Sequence, residues 1–384
     1  MDSSKRIIIW LLCLGNIAIS FNIGAVAAAI PLIAQDFHLG DLIVANIVVF
    51  YMIPYGVGAL LYAPLSRVVT YKRILAGASF AYSVFAFITA VSPTLDRMLV
   101  AQIGAGIAAA SSTPMSLMII GELFEKNVRG RLVGAYFGCS FFASVVGMVF
   151  MGTAHWRWLF MIPTILALIT GLGWVFLKSD FVERVHKASF NYVKALSRNH
   201  IRDVFVFIFV TSFLYHAVHK WYGVYLTREY GLSKEMISII LIVAALCGLA
   251  GQQIGGYFSD KKGRLFACYM GMSGLGVGVM LLLGSYPLAF IIAILSAISI
   301  GWTMSHNSIS TILTDFPDAD RPMIASLNSS VRFVSGGIGF WFSKFLVEKS
   351  FGWTFFGIGA IFLVLIIFVK YVFPSDINSY EAST

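Results

Sequence analysis

Long apolar runs separated by short polar connections recur along the whole chain, with the bases gathered into the connections. Roughly 20 apolar residues suffice to cross a hydrocarbon core as a helix. The pattern therefore predicts spans at residues 7–34, 42–63, 74–92, 97–120, 131–152 and 157–177, then at 203–226, 236–258, 265–284, 287–313, 323–346 and 352–373. The expected fold class is an all-α polytopic membrane protein of twelve transmembrane helices in two six-helix pseudo-repeats. Between the sixth and seventh spans lies the one longer connection, residues 178–202, rich in Lys and Arg. The expected organisation is thus an N-terminal bundle over 1–177, a linker over 178–202 and a C-terminal bundle over 203–384.

Composition agrees with that pattern. The 384 residues are 59% hydrophobic and only 12% charged, where a soluble globular domain averages about 25% charged. The net charge of +9 is better explained by topology than by nucleic acid, because the bases sit between spans. With the N-terminus inside, most of the 27 Lys and Arg residues fall on the cytoplasmic side, and both termini are expected there. Cys13, Cys139, Cys247 and Cys268 lie within apolar runs without a CxxC pair and read as small core residues. Lys5 and Arg6 precede a run far longer than a signal-peptide core, so it reads as a retained first span.

The most informative connection is Gly255 to Arg264, Gly-Gly-Tyr-Phe-Ser-Asp-Lys-Lys-Gly-Arg, read as a glycine-bounded turn reaching water. Here Gly256 is expected to allow close backbone approach and Gly263 the positive φ of a tight turn. About half a chain earlier, Ala63-Pro64-Leu65-Ser66-Arg67 leads into Thr70-Tyr71-Lys72-Arg73 in the equivalent place. Val128-Arg129-Gly130-Arg131 is similarly matched by Asp320-Arg321-Pro322-Met323, and His155-Trp156-Arg157-Trp158 by Phe351-Gly352-Trp353-Thr354. The tryptophans suit a membrane interface. Such internal similarity is expected of secondary transporters built from parallel repeats.

On these residues the chain resembles the major facilitator superfamily along essentially its whole length. Gly256, Asp260, Lys261, Gly263 and Arg264 resemble its signature loop, and His155–Phe160 is similar to an element of its drug and sugar exporters. The resemblance implies two six-helix bundles around a central cavity, alternating access, and a latch formed by the signature loops. The first-half loop departs from the pattern: Arg67 stands where an acid is expected and Thr70 where a glycine is. One reading pairs Arg67, Lys72 and Arg73 with Asp315, Asp318 and Asp320 when the cytoplasmic side closes; the other leaves them as solvated charges. Asp260 is then the surviving latch, facing the start of the fifth helix near Arg129 and Arg131, with Glu122 close by at the end of the fourth. The fifth span matches the exporter pattern in part, at Gly134, Gly147 and Gly152, with Met148 in place of a proline.

Polar and ionisable residues inside spans are costly and point to function. Acids are nearly absent there: Asp36, Asp41, Glu122, Glu229 and Glu348 fall near span ends. Ser212, His216, His219, Lys220 and Gly223 recur at three- and four-residue spacing, forming one stripe of the seventh helix. His306, Asn307, Asn328 and Arg332 lie in the tenth and eleventh spans, and Asn16, Asn22, Tyr51, Tyr55 and Gln102 in the first half. Together these form the candidate substrate site; the other reading of the histidines and of the first-half residues is ordinary interhelical hydrogen bonding. Arg332 can grip a carboxylate or phosphate bidentately, and His216, His219 or His306 can carry a coupling proton. Lys220 either joins this cluster or snorkels to the nearby interface.

The expected activity is proton-coupled efflux of a small anionic or polar organic solute. Uptake or uniport of a similar solute, or a transport-inactive sensor of the same fold, are the alternatives. No HExxH, GxSxG or P-loop pattern occurs, so an enzyme is not expected. Neither is a cofactor, a metal or a nucleic-acid partner. The expected partners are the solute, protons and the bilayer, with a monomer in a bacterial or archaeal plasma membrane.

Overall fold

The computed structural model describes residues 3–185, 191–197, 199–312 and 321–372. Among them the chain is helical throughout, without strands, as a hydrocarbon environment requires of backbone groups that must satisfy each other. The first span is divided into α1 (Ser3–Ile23), α2 (Ala25–Ala28) and α3 (Ile30–Phe37), and the second into α4 (Asp41–Val44) and α5 (Asn46–Leu65). The third is α6 (Tyr71–Val91), and the fourth is split into α7 (Leu95–Ala109) and α8 (Ser112–Leu123). Then come α9 (Lys126–Thr153), α10 (Trp158–Phe176) and a short linker helix, α11 (Tyr192–Leu196). The seventh span is split into α12 (Asn199–His219) and α13 (Tyr222–Tyr230). The rest are α14 (Lys234–Lys262), α15 (Arg264–Leu281), α16 (Leu288–Ile312), α17 (Arg321–Val347) and α18 (Phe351–Val372). Eleven spans are long and apolar enough to cross a membrane. The twelfth, α17, has the length at 27 residues, and Asn328, Arg332 and Lys344 lower its hydropathy.

We call the end of the bundle where α1 begins proximal and the opposite end distal. The halves pack together along α5 with α17 and along α9 with α14. The first span of each half is interrupted at a similar depth, α1 around Gly24 and α12 at Lys220–Trp221. Pro31 starts α3 at a helix N-terminus, where its missing N–H costs nothing. No proline marks the second interruption.

The Gly255–Arg264 stretch is not an open turn. Helix α14 runs through Lys262, and Gly263 alone, at φ +89°, turns the chain into α15. Gly255, rather than Gly256, makes the close approach: a Cβ there would lie 2.9 Å from Met304 Cα, whereas one on Gly256 would meet only Asn307 Nδ2 at 4.0 Å. Trp156 is another difference. It is buried, and its indole Nε1 donates to Asp36 at 3.2 Å, while Arg157 Nη1 donates to the carbonyls of Ala90 and Ser92. This segment ties the distal ends of the first, third and sixth spans. Trp158 and Trp353, by contrast, are exposed.

Residues 178–185 fold back on the proximal end of the first half. Lys72 N–H donates to the Val182 carbonyl at 2.9 Å, Val182 is buried, and Lys72 Nζ meets Glu183 at 3.0 Å. Farther along, Tyr192 Oη donates to the Leu60 carbonyl at 3.1 Å, and burial pushes its phenol up to about 12. The linker is thereby bonded to the first half at two places.

Candidate functional site

Between the halves, at the depth of the helix interruptions, lies a cavity of about 230 Å³. It takes Asn22, Tyr51 and Gln102 from the first half, and His216, Lys220, His306 and Arg332 from the second. Helix α12 places Ser212 and His216 one turn apart on the cavity side, and Lys220 follows just past its end. Trp302 and His306 repeat that spacing on α16, and Trp302 stacks on Tyr215 with ring centroids 3.7 Å apart. Arg332 is held rather than free: Nε donates to Asn328 Oδ1 at 2.8 Å and Nη2 to Ser310 Oγ at 3.1 Å.

The charge of the cavity is one-sided. Lys220 and Arg332 line it, and among the described residues no Asp or Glu does. Lys220 is buried and does not snorkel; its Nζ donates to the Ile23 carbonyl at 3.0 Å, across the interface between the halves. That carbonyl ends α1, where the helix dipole presents partial negative charge. Three cavity-lining groups, Tyr51 Oη, Ser212 Oγ and His216 Nδ1, are buried without a protein hydrogen-bond partner. Buried polar groups are normally satisfied, so these three present unmet capacity to whatever occupies the space.

Other candidates sit elsewhere. Asn16 Nδ2 donates to the Tyr136 carbonyl at 2.8 Å, an interhelical bond within the first half. Tyr55 bonds Thr113 and stacks on Phe333 at 3.8 Å, so it walls the interface rather than reaching the cavity. Asn328 positions Arg332, and Asn307 lies near Gly256. His219 faces a second, smaller chamber. Residues that sequence reasoning left out of the site are Trp302, Phe333, Met52 and Ser310. The i, i+4 spacing of Trp302 to His306 was the available signal, hidden by the abundance of aromatic residues.

The proposed latch residues are distributed over the proximal end. Asp260 is exposed and has no partner among the described residues, so it touches neither Arg129 nor Arg131. Arg129 Nε instead donates to the Phe124 carbonyl at 2.7 Å, and Glu122 accepts from Tyr71 Oη at 2.8 Å. Lys261 packs over the Tyr257 ring, and Lys72 is paired with Glu183. Arg67 and Arg73 are exposed. Asp315, Asp318 and Asp320 lie outside the described residues.

The distal end, by contrast, is tied across the halves. Arg228 Nε meets Asp41 at 2.8 Å, Ser238 Oγ donates to the Met148 carbonyl at 2.6 Å, and Lys234 Nζ to the Ala154 carbonyl at 3.3 Å. A Cβ on Gly223 would lie 2.6 Å from the Ala28 backbone. Toward the proximal end α9 and α14 diverge: Gly130, Gly134 and Gly138 have nothing within 4 Å of where a Cβ would stand, and Gln252 and Gln253 are exposed.

The sequence profile of the Major Facilitator Superfamily matches residues 12–317 and 221–382, together nearly the whole chain. The chain belongs to this superfamily. Its fold is similar to that of a bacterial homologue of the human lysosomal transporter Spinster, solved in an inward-facing, unoccupied conformation (TM-score 0.76, 12% identity, 97% of this chain and 96% of that one). It is likewise similar to a D-xylose–proton symporter (TM-score 0.74, 16% identity, 97% and 98%). Among curated relatives, a multidrug transporter of Candida glabrata is 27% identical over 161 residues, 41% of this chain and 28% of the relative. A probable L-galactonate transporter of Escherichia coli is 24% identical over 260 residues, 59% of this chain and 55% of the relative. The chain thus spans about a quarter to a half of the length of the curated relatives it matches. Family and relatives are transporters, and this superfamily member is an integral membrane protein.

Proposed function

We propose that the protein carries a small organic anion across the membrane by alternating access, coupled to protons and working as an exporter. The observation that carries the anion reading is the cavity's charge: the buried Lys220, the half-buried Arg332, three unpartnered polar groups and no carboxylate among the described lining residues. In a low-dielectric space an uncompensated positive pair attracts a carboxylate or phosphate strongly, and the surrounding hydroxyl, amide and imidazole groups can orient its polar remainder. His216 and His306 line the same cavity and are the proposed proton carriers, with His219 behind them. Export is supported by the efflux names among the relatives. Uptake is the second reading, favoured by the relative whose substrate name is a sugar acid.

With the base-rich end in the cytoplasm, the distal ties close the outer side and the parting of α9 from α14 opens the inner one. Transport then requires the distal ties to break while the proximal end closes, bringing Asp260 toward Arg129 and Arg131 and the Arg67 loop toward the acidic tenth connection.

The test is thermal stabilisation of the purified protein by a panel of carboxylate, phosphate-ester, neutral and cationic solutes at two pH values. Carboxylates or phosphate esters should stabilise and cations should not; a preference for cations ends the anion reading. PH-dependent stabilisation should vanish when His216 and His306 are both replaced by Phe, and its persistence removes them as proton carriers. Among the distal ties Asp41–Arg228 is partly exposed, so it contributes about 1 kcal/mol or less. Arg228→Ala should change transport rates by no more than about fivefold, and the Asp41→Arg/Arg228→Asp exchange should restore them.

A further inference from the structure

A second chamber of about 50 Å³ lies distal to the main cavity. Lys220 lines both spaces and stands between them. Two further groups in this chamber, His219 Nδ1 and Tyr222 Oη, are buried without a hydrogen-bond partner. A third source of donors is the start of α13. Helix α13 begins at Tyr222, just after the break at Lys220–Trp221, and Tyr225 N–H donates back to the Trp221 carbonyl at 2.8 Å. The first amides of a helix are unsatisfied by its geometry and form a ready anion site. Tyr222 and Gly223 both line the chamber.

An ammonium, a phenol, an imidazole and a helix N-terminus therefore converge on one small space, with no acid among its lining residues. The nearest rings are themselves packed: His219 stacks on Tyr215 at 4.9 Å and lies edge-on to Tyr222 at 5.2 Å. The donors are thus held in place before anything binds. On the measure by which one water needs about 10–15 Å³, the chamber has room for a monoatomic ion with water beside it, and it is much smaller than the main cavity. Water alone leaves the Lys220 charge with a single carbonyl as partner, which is poor compensation for an ion withdrawn from solvent.

We propose that this chamber is a binding site for a small inorganic anion of the chloride class, separate from the organic-solute cavity and sharing only Lys220 with it. His219, in the tautomer that carries the proton on Nδ1, Tyr222 and the α13 amides hold the ion. By neutralising Lys220 from the distal side, it sets how strongly the main cavity attracts its own anion.

The test compares the melting temperature of the full-length protein in sodium chloride and in sodium gluconate at equal ionic strength and pH. Chloride or bromide should raise Tm by about 3 °C or more at saturation, and gluconate should not. Tyr222→Phe, which keeps the ring and its packing, and His219→Phe should each remove most of that rise. Arg332→Ala should keep it, which separates this site from the organic-anion reading. Absence of a chloride effect in the unaltered protein overturns the proposal. So does an effect that survives both Tyr222→Phe and His219→Phe, or one that Arg332→Ala abolishes.

Discussion

Replacing Arg332 with alanine is expected to reduce transport by about 30- to 150-fold, the equivalent of the 2–3 kcal/mol that a charge-assisted hydrogen bond to a desolvated anion provides. The expectation rests on how the guanidinium is held. Asn328, one turn earlier on α17, and Ser310 on α16 fix Nε and Nη2, so the side chain is oriented before an anion arrives. Little rotamer freedom remains to be lost on binding, and the interaction is correspondingly strong. Arg332→Lys keeps the charge and loses the planar fork, so it should recover only part of the rate. Asn328→Ala leaves the charge in place but releases Nε, and should fall between the two. The measurement is counterflow or solute release from proteoliposomes, with protein amount and melting temperature as controls. Transport that survives Arg332→Ala within about threefold would take this residue out of the site.

A side chain at Gly223 should have an effect as large, for a mechanical reason. Helix α13 crosses α2 so closely that a Cβ on Gly223 would stand 2.6 Å from both Cα and O of Ala28. Backbone atoms cannot swing aside as a side chain does. Gly223→Val must therefore separate the helices, and overpacking of this kind costs about 1–3 kcal/mol. Only the distally closed state bears that cost, so the two-state balance shifts by about 5- to 150-fold toward the distally open one. The variant should remain folded and bind solute, yet turn over slowly. A cysteine introduced at Met148, beside the distal tie to Ser238, should react faster with a membrane-impermeant thiol reagent. Unchanged reactivity together with unchanged turnover would show that the crossing of α13 and α2 is not the distal gate.

The spans were legible because hydrocarbon leaves the backbone one local solution, and long apolar runs announce it. The place of Arg332 and His216 on a polar cavity was legible for the complementary reason, that an ionisable group at mid-span is costly without such a setting. What escaped the sequence depended on departures from a regular helix. The 3.6-residue stripe from Ser212 to Gly223 assumes an unbroken helix. The interruption at Lys220–Trp221 cuts it, so Gly223 beyond the break belongs to the distal side; His219, still on α12, already faces the smaller chamber, while His216 lines the large cavity and Lys220 lines both. Nothing in the sequence marks that interruption, since no proline lies near it, whereas Pro31 hints at the one in the first span. The loop after α14 shows the opposite error: its charges read as a turn, yet Phe258 to Lys262 simply complete the helix and Gly263 alone bends the chain. Trp156 was read as an interface residue from its neighbours in sequence, and its partner Asp36, 120 positions away, decided otherwise.

The bond from Lys220 to the Ile23 carbonyl has a genetic corollary. One end of this tie is a side chain and the other is main chain, so only one of the two partners is written in the codons that specify it. Any residue at position 23 still offers the same oxygen. A selection for loss of this one tie should therefore return repeated changes at Lys220, while changes at Ile23 act only through packing. Drift at position 23 leaves this tie intact, and its inheritance rests on a single lysine codon.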